Sequence, residues 1–215
     1  MKTPLTRQRL RNHIMYSWWK YVLLIVLAIF GWDIIYNMTR YRPPEAKKVN
    51  LNVYVAANQT ALDAYLSDIH ETQLPEMEEM SASYTVLEQM YGDMIFSAHM
   101  ASNDGDIYLL NRDYFQRYAS SGAYRALEDE TELIATLEEA GVSLTQGWRA
   151  LSDTGERHLY AIPCANLPGI AAYVADPSDC YLVVLLNNGN DENVIRFLNI
   201  FVNDLLQPIE IPEAD

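Results

Sequence analysis

Carboxylates and histidines are the side chains of this sequence with the most capacity for chemistry. Three glutamates lie close together at Glu76, Glu78 and Glu79, and a second acidic run covers residues 128–130. Such groups can bind a metal ion or act as a paired acid and base. More often they form a solvated helix face or a helix start. Because Gly-x-Ser-x-Gly, His-Glu-x-x-His and glycine-rich phosphate loops do not occur, we expect no enzyme activity, metal site or cofactor.

A second group of polar side chains follows predicted β-strands and is better placed to bind a ligand. These candidate ligand-binding or partner-binding residues are Asn58 and Gln59 after the first strand, Asn111, Arg112 and Tyr114 after the third, and Asn166 after the strand that ends at Pro163. In open α/β sheets, ligands bind beyond the carboxyl ends of the strands. The alternative is that Asn58, Asn111 and Asp113 cap helices and that Arg112 only balances local charge.

The elements that would position these residues alternate between strands and helices. Strands are predicted at Leu51–Ala57, Ser83–Leu87, Asp106–Leu110, His158–Pro163 and Tyr181–Leu186. Helices are predicted from Thr60, over Met94–Met100, after Asn111, over Leu127–Ala140, and from Asn190 or Asp191 to Leu205. This alternation favours one α/β lobe with three layers and a mostly parallel or mixed sheet.

The two cysteines, Cys164 and Cys180, lie between the last two predicted strands. Cys164 follows the predicted strand His158–Pro163 and Cys180 precedes the predicted strand Tyr181–Leu186, so neighbouring strands would bring the two side chains together. Two cysteines in an exported domain can pair, and they can equally remain buried thiols. We expect a disulfide, which would stabilise the lobe by ~3 kcal/mol through chain entropy.

The longest apolar run of the chain precedes the lobe, at residues 17–38. Its 18 residues from Tyr21 to Met38 would form roughly 27 Å of helix, close to the thickness of a bilayer core. Aromatic and basic residues flank it on both sides, as at membrane interfaces. A cleaved signal peptide would need small residues after the run, and none form such a pattern. Asp33 within the run either leans toward the interface or contacts a partner span.

The sign of the charge changes shortly after this apolar run, near residue 48. Residues 1–48 hold nine of the fifteen lysines and arginines, whereas the remainder holds six arginines, no lysine and 27 acidic residues. So acidic a domain does not bind nucleic acid through phosphates. We expect residues 1–16 to be a cytoplasmic tail, 17–38 an uncleaved anchor, 39–49 a linker, 50–208 an extracytoplasmic lobe and 209–215 a tail.

Three short segments resemble the extracellular solute-binding proteins of ABC importers. Residues 104–115 are similar to a strand of that family and the helix that follows it. Ser121–Asp129, which contains Gly-Ala, is similar to the segment that comes next in the family. Leu159–Pro163 reads Leu-Tyr-Ala-Ile-Pro, as in a strand that returns to the sheet of the first lobe. Residues 191–198 resemble the opening of a later helix.

The resemblance implies one lobe of a periplasmic-binding-protein domain, because only residues 164–180 remain where a second lobe would be inserted. It implies a membrane-tethered, non-enzymatic binding or accessory module, with a sugar or peptide as possible ligand and a transporter permease or other membrane protein as possible partner. The alternative is a structural subunit that docks another protein and binds no small molecule. A pocket at the strand ends would favour the first function, and a flat apolar face would favour the second.

Overall fold

The computed structural model describes residues 7–85, 91–102, 105–186 and 191–209. The chain divides into two compact units, residues 1–42 and 43–215. The first unit contains one helix, α1 (Arg7–Thr39), and its apolar stretch Met15–Thr39 has no buried part. By length and composition this 25-residue stretch can cross a membrane, and it contains the whole segment predicted as an anchor.

The second unit, hereafter the lobe, has alternating strands and helices. Its strands are β1 (Lys48–Val53), β2 (Glu79–Tyr84), β3 (Ile107–Asn111), β4 (Trp148–Ala150), β5 (Arg157–Leu159), β6 (Ala161–Pro163) and β7 (Cys180–Val184). Its helices are α2 (Gln59–Thr72), α3 (Gly92–Ser102), α4 (Arg112–Ala119), α5 (Thr131–Glu139) and α6 (Asp191–Leu205). Single 3₁₀ turns cover Glu45–Lys47, Thr145–Gly147, Cys164–Asn166, Pro168–Ala172 and Pro177–Asp179. The predicted α/β class is therefore confirmed.

Five of these strands form a mixed sheet in the order β2-β1-β3-β7-β6. β1 runs parallel to β2 and to β3, whereas β7 runs antiparallel to both of its neighbours, β3 and β6. β6 consequently has the same direction as the first three strands. β4 and β5 form a separate antiparallel pair. The carboxyl ends of β1, β3 and β6 therefore lie at one edge of the sheet, which we call the strand-end rim.

Alternation along β3 shows how the sheet builds two cores. Ile107 and Leu109 belong to an aliphatic core, whereas Tyr108 and Leu110 belong to an aromatic core on the other face. The aliphatic core is completed by buried residues of α2, α5 and α6, and the aromatic core by residues of α3 and α4. Because strand side chains alternate between faces, each helix layer receives its own set of apolar side chains. The lobe thus has three layers.

Several elements differ from their predicted bounds: β1 is Lys48–Val53 rather than Leu51–Ala57, and β7 is Cys180–Val184 rather than Tyr181–Leu186. Three further differences have a physical reason. The second strand is Glu79–Tyr84 rather than Ser83–Leu87, because it lies at the sheet edge, where half-buried side chains give no apolar run. Helix α5 begins at Thr131 rather than Leu127. The backbone around Leu127 is not helical, and the amide of Leu127 donates to the carbonyl of Leu159. The predicted strand His158–Pro163 divides at Tyr160 into β5 and β6, which belong to different sheets.

Some predictions fall where the structure gives no description. The turn at Asn103 and Asp104, the strand end at Val86 and Leu87, and the cap at Asn190 lie outside the described residues, as do residues 1–6 and 210–215. Residues 43–49, predicted as linker, belong to the lobe, where Lys48 begins β1 and the Lys47 ammonium lies 2.8 Å from the Glu78 carboxylate.

Candidate functional site at the strand ends

Two of the predicted binding residues cap helices at the strand-end rim. Asn58 precedes α2, and its side-chain oxygen accepts a hydrogen bond from the amide of Ala61 at 3.3 Å. Asn111 precedes α4 and accepts from the amide of Tyr114 at 3.0 Å. Both bonds satisfy amides that a helix leaves without an internal partner. Asn58 and Asn111 therefore have the capping role that was the alternative to ligand binding.

Arg112 is held against the segment that precedes β7. Its backbone amide donates to Oδ1 of Asp179 at 3.3 Å, and its guanidinium donates to the carbonyl of Ser178 at 3.3 Å. The side chain is nevertheless exposed, so a guanidinium N–H can still reach an incoming group. Arg112 thus ties α4 to the 3₁₀ turn Pro177–Asp179 at the rim.

Tyr114 contacts a neighbouring helix and does not line the rim cavity. Its ring lies 5.3 Å from the ring of Phe96 on α3, and the guanidinium of Arg117 stands 5.5 Å from its centroid. Burial, with a hydrogen bond to Asp93, raises the pKa of the Tyr114 phenol. The remaining candidates, Gln59 and Asn166, are exposed at the start of α2 and in the turn Cys164–Asn166. The structure therefore brings Asn111 and Arg112 together but does not assemble all six residues.

The chain itself covers part of the rim. The amide of Asn58 donates to the carbonyl of Tyr173 at 2.7 Å, and the amide of Ala175 donates to the carbonyl of Ala56 at 2.9 Å. Residues 164–179 thus fold back over the segment that follows β1. The cavity left there has a volume of about 190 Å³ and is lined by Val55, Ala56, Asn111, Ala175, Asp176 and Asp179. Pockets for small ligands usually occupy about 300–1,000 Å³.

The two cysteines lie opposite each other but are not bonded. β6 and β7 pair Pro163 with Tyr181, so the next position of the register pairs Cys164 with Cys180. Both are free, buried thiols, which corrects the expected disulfide. A hydrogen bond with Cys164, together with burial, raises the pKa of the Cys180 thiol. The strand register brings the two cysteines to opposite positions, as expected, and both remain thiols in this structure.

Four of the six acidic residues considered for metal or acid–base chemistry, Glu76, Glu78, Glu128 and Glu130, are engaged in ion pairs or hydrogen bonds. Glu76 pairs with Arg196, and Glu128 accepts from Nδ1 of His158 at 2.5 Å and from the amide of Leu159 at 2.9 Å. Burial opposes ionisation of Glu128, but hydrogen bonds from its own amide, His158 and Leu159 outweigh it and lower its pKa. These contacts give the glutamates structural roles.

A larger groove lies away from the rim, and the sequence gave no indication of it. It has a volume of about 700 Å³ and separates α5 from the β4–β5 pair. Ile134, Val142, Leu144, Trp148 and Leu159 form its apolar floor. The signal that could have located it is Trp148, because the other three tryptophans, at positions 18, 19 and 32, all belong to α1.

Comparison with known proteins identifies no family for this chain. No family model matches it, and no curated protein is similar to it. One solved structure with some likeness is an extracellular solute-binding protein family 1 from Alicyclobacillus acidocaldarius subsp. acidocaldarius DSM 446. The two chains share 18% identity and a TM-score of 0.42 over 58% of this chain, which spans only 29% of that protein. A TM-score of this size does not establish a common fold.

Proposed function

We propose that this chain is a membrane-tethered, non-enzymatic binding or accessory module whose single α/β lobe lies outside the cytoplasm. Two features of one chain carry the proposal. One is an unburied apolar segment of 25 residues, and the other is a lobe with its own hydrophobic core on each face of its sheet. Unburied apolar side chains of this number are stable only if lipid or protein covers them. The basic tail favours retention in the cytoplasm, with the acidic lobe translocated.

Alkaline carbonate extraction of membranes from cells that express the full chain tests the anchor. The chain should remain in the membrane pellet. A variant with Leu24→Arg and Leu27→Arg should move to the supernatant, because each arginine costs about 3 kcal/mol near the bilayer centre. Tyr41→Arg, beyond the end of α1, should remain in the pellet and serves as the control. Release of the unmodified chain would contradict the proposal.

One function for the lobe is capture of a small solute, such as a sugar or peptide, at the strand-end rim for a transporter permease. Asn111 supports it because it lines the rim cavity, and Arg112 supports it because its exposed guanidinium is bonded to Ser178, next to the lining residue Asp179. Asp176 and Asp179 add carboxylates that can accept hydrogen bonds from hydroxyl or amino groups.

The second function is docking of another protein, with no small-molecule ligand. The observation that favours it is the closure of the rim by residues 164–179, which leaves a cavity smaller than those that usually hold ligands. Thermal unfolding of the full chain with a panel of saccharides and short peptides separates the two functions. A saturable rise in melting temperature supports solute capture, whereas no rise at millimolar concentration supports docking.

A further inference from the structure

The groove between α5 and the β4–β5 pair has the properties of a binding site of its own. Its volume of about 700 Å³ falls within the range of ligand-binding pockets, and apolar side chains form its floor. Its lining residues belong to α5, β4, β5 and the segment between them, and none of them lines the rim cavity. A ligand here would therefore bind independently of anything held at the rim.

Charged groups at the groove are available to an incoming molecule. Glu138 and Arg157 are among the residues that line the groove, and both are exposed. Neither side chain has a hydrogen bond or ion pair within the part of the chain that the structure describes. Glu128, at the same groove, is ionised and fixed by His158. The groove thus offers two carboxylates and one guanidinium around an apolar floor.

The end of α5 makes this place favourable for a cation. α5 finishes with Glu138 and Glu139, and no basic residue lies in its last turn. The C-terminus of a helix carries partial negative charge, so carboxylates there are unfavourable and cations are stabilising. The lobe as a whole has 27 acidic residues and six arginines after residue 48. A positively charged partner is therefore attracted to the lobe and is best placed beside Glu138.

We propose that this groove binds a segment of a partner protein that presents an apolar side chain next to a lysine or arginine. The apolar side chain packs on Trp148 and Leu159, and the basic side chain pairs with Glu138. Arg157 donates to a backbone carbonyl of the segment. An aliphatic floor favours an apolar side chain over a saccharide, whose hydroxyl groups would lose hydrogen bonds against Ile134, Val142 and Leu144.

The test uses the full chain in zwitterionic lipid nanodiscs, with Trp18, Trp19 and Trp32 replaced by phenylalanine. Trp148 is then the only tryptophan, so its emission reports directly on the groove. The probe is an acetylated hexapeptide of alternating leucine and lysine. Matched peptides replace lysine by glutamate or leucine by serine, and empty nanodiscs measure binding to lipid. We expect a saturable change in Trp148 emission with the leucine–lysine peptide and none with either matched peptide.

Substitutions at the end of α5 separate groove binding from general attraction to an acidic protein. With a fluorescein-labelled peptide, Glu138→Gln should weaken binding roughly tenfold, as expected for an anchoring charge pair. Glu139→Gln removes the same charge from the adjacent residue, which does not line the groove, and should change affinity less than about twofold. Trp148→Ala should abolish saturable binding, and Trp148→Phe should retain part of it with an unchanged melting temperature.

Three results would overturn the proposal. The first is equal weakening by Glu138→Gln and Glu139→Gln, because the attraction would then come from overall charge. The second is equal binding of the lysine and glutamate peptides. The third is an unchanged Trp148 emission with all the peptides and a saturable change with a saccharide, which would make the groove a sugar site.

Discussion

The backbone amide of Asn58 donates to the carbonyl of Tyr173 at 2.7 Å, which fastens the segment before β7 to the start of α2. An isolated β-bridge between Ala57 and Val174 extends the same contact by one position. Residues 164–179 thus close over the edge of the sheet at which an open α/β protein would bind a ligand. This contact makes the rim a structural junction of the lobe.

Loss of the capping side chains at this junction should destabilise the lobe. Asn58→Ala and Asn111→Ala each remove an oxygen that accepts from a helix amide, and each should lower the free energy of unfolding by about 1 kcal/mol. Asn166→Ala is the matched control, because this asparagine is exposed and caps no helix. Chemical denaturation measures the three variants. Equal stability of all three would show that the caps contribute nothing.

Arg112→Ala separates the two functions proposed for the rim. Among the described residues the exposed guanidinium makes one hydrogen bond, to the carbonyl of Ser178, so its loss should cost about 0.5–1 kcal/mol. If the rim binds a solute, this variant should abolish the ligand-induced rise in melting temperature. Tyr114→Ala should instead destabilise the lobe by about 1–3 kcal/mol, because its ring packs against Phe96 and Tyr118. If the Arg112→Ala variant still shows a rise in melting temperature with the solute, the solute site lies elsewhere.

The buried thiols should not react with alkylating reagents in the folded protein. Cys164 and Cys180 are both buried, and the raised pKa of Cys180 keeps its thiol protonated at neutral pH. Iodoacetamide at pH 7.5 should therefore modify neither residue until guanidinium unfolds the chain, when mass spectrometry should find two modified cysteines. Rapid modification of the folded protein, or no free thiol after unfolding, would contradict this arrangement.

Asp106 should make stability depend on pH between about 4 and 6. Burial raises the pKa of its carboxyl to about 6, and a hydrogen bond from the amide of Asn50 at 2.6 Å only partly offsets that effect. Because the folded state binds this proton more tightly than the unfolded state, the contribution of Asp106 to stability is fully present below pH 4 and is lost as pH rises through 6. The loss is of the order of 3 kcal/mol.

Asp106→Asn isolates this contribution, since asparagine carries no titrating proton and its oxygen can still accept from Asn50. Urea unfolding at several pH values should show a flatter profile between pH 4 and 6 for the variant than for the unmodified chain. Parallel profiles would show that Asp106 does not titrate in this range.

Elements with strong apolar patterns were predictable, whereas backbone contacts were not. β7 is fully buried, and the stripe of Val194, Phe197, Leu198, Phe201 and Leu205 on α6 packs into the aliphatic core as predicted. The edge strand β2 and the β4–β5 pair were missed or misplaced, because a three-residue strand or a half-buried edge has no distinctive periodicity.

The functional residues show the same limit. The sequence identified Asn58, Asn111 and Arg112 as polar residues after strands, and the structure places all three near the strand-end rim. The partners of Asn58 and Arg112, which are Tyr173, Asp179 and Ser178, could not be predicted, since two of these three contacts use main-chain carbonyls that carry no sequence signal. The larger groove was missed because it forms only when α5 packs beside β5.

The orientation of the lobe is tested most directly by labelling intact cells with a membrane-impermeant maleimide. Single cysteines introduced by Glu71→Cys on α2 and by Arg11→Cys near the start of α1 give a matched pair, because both side chains are exposed and both native thiols are buried. We predict that Glu71→Cys is labelled in intact cells and that Arg11→Cys is labelled only after lysis. Labelling of Arg11→Cys in intact cells, with Glu71→Cys protected until lysis, would contradict an extracytoplasmic binding module.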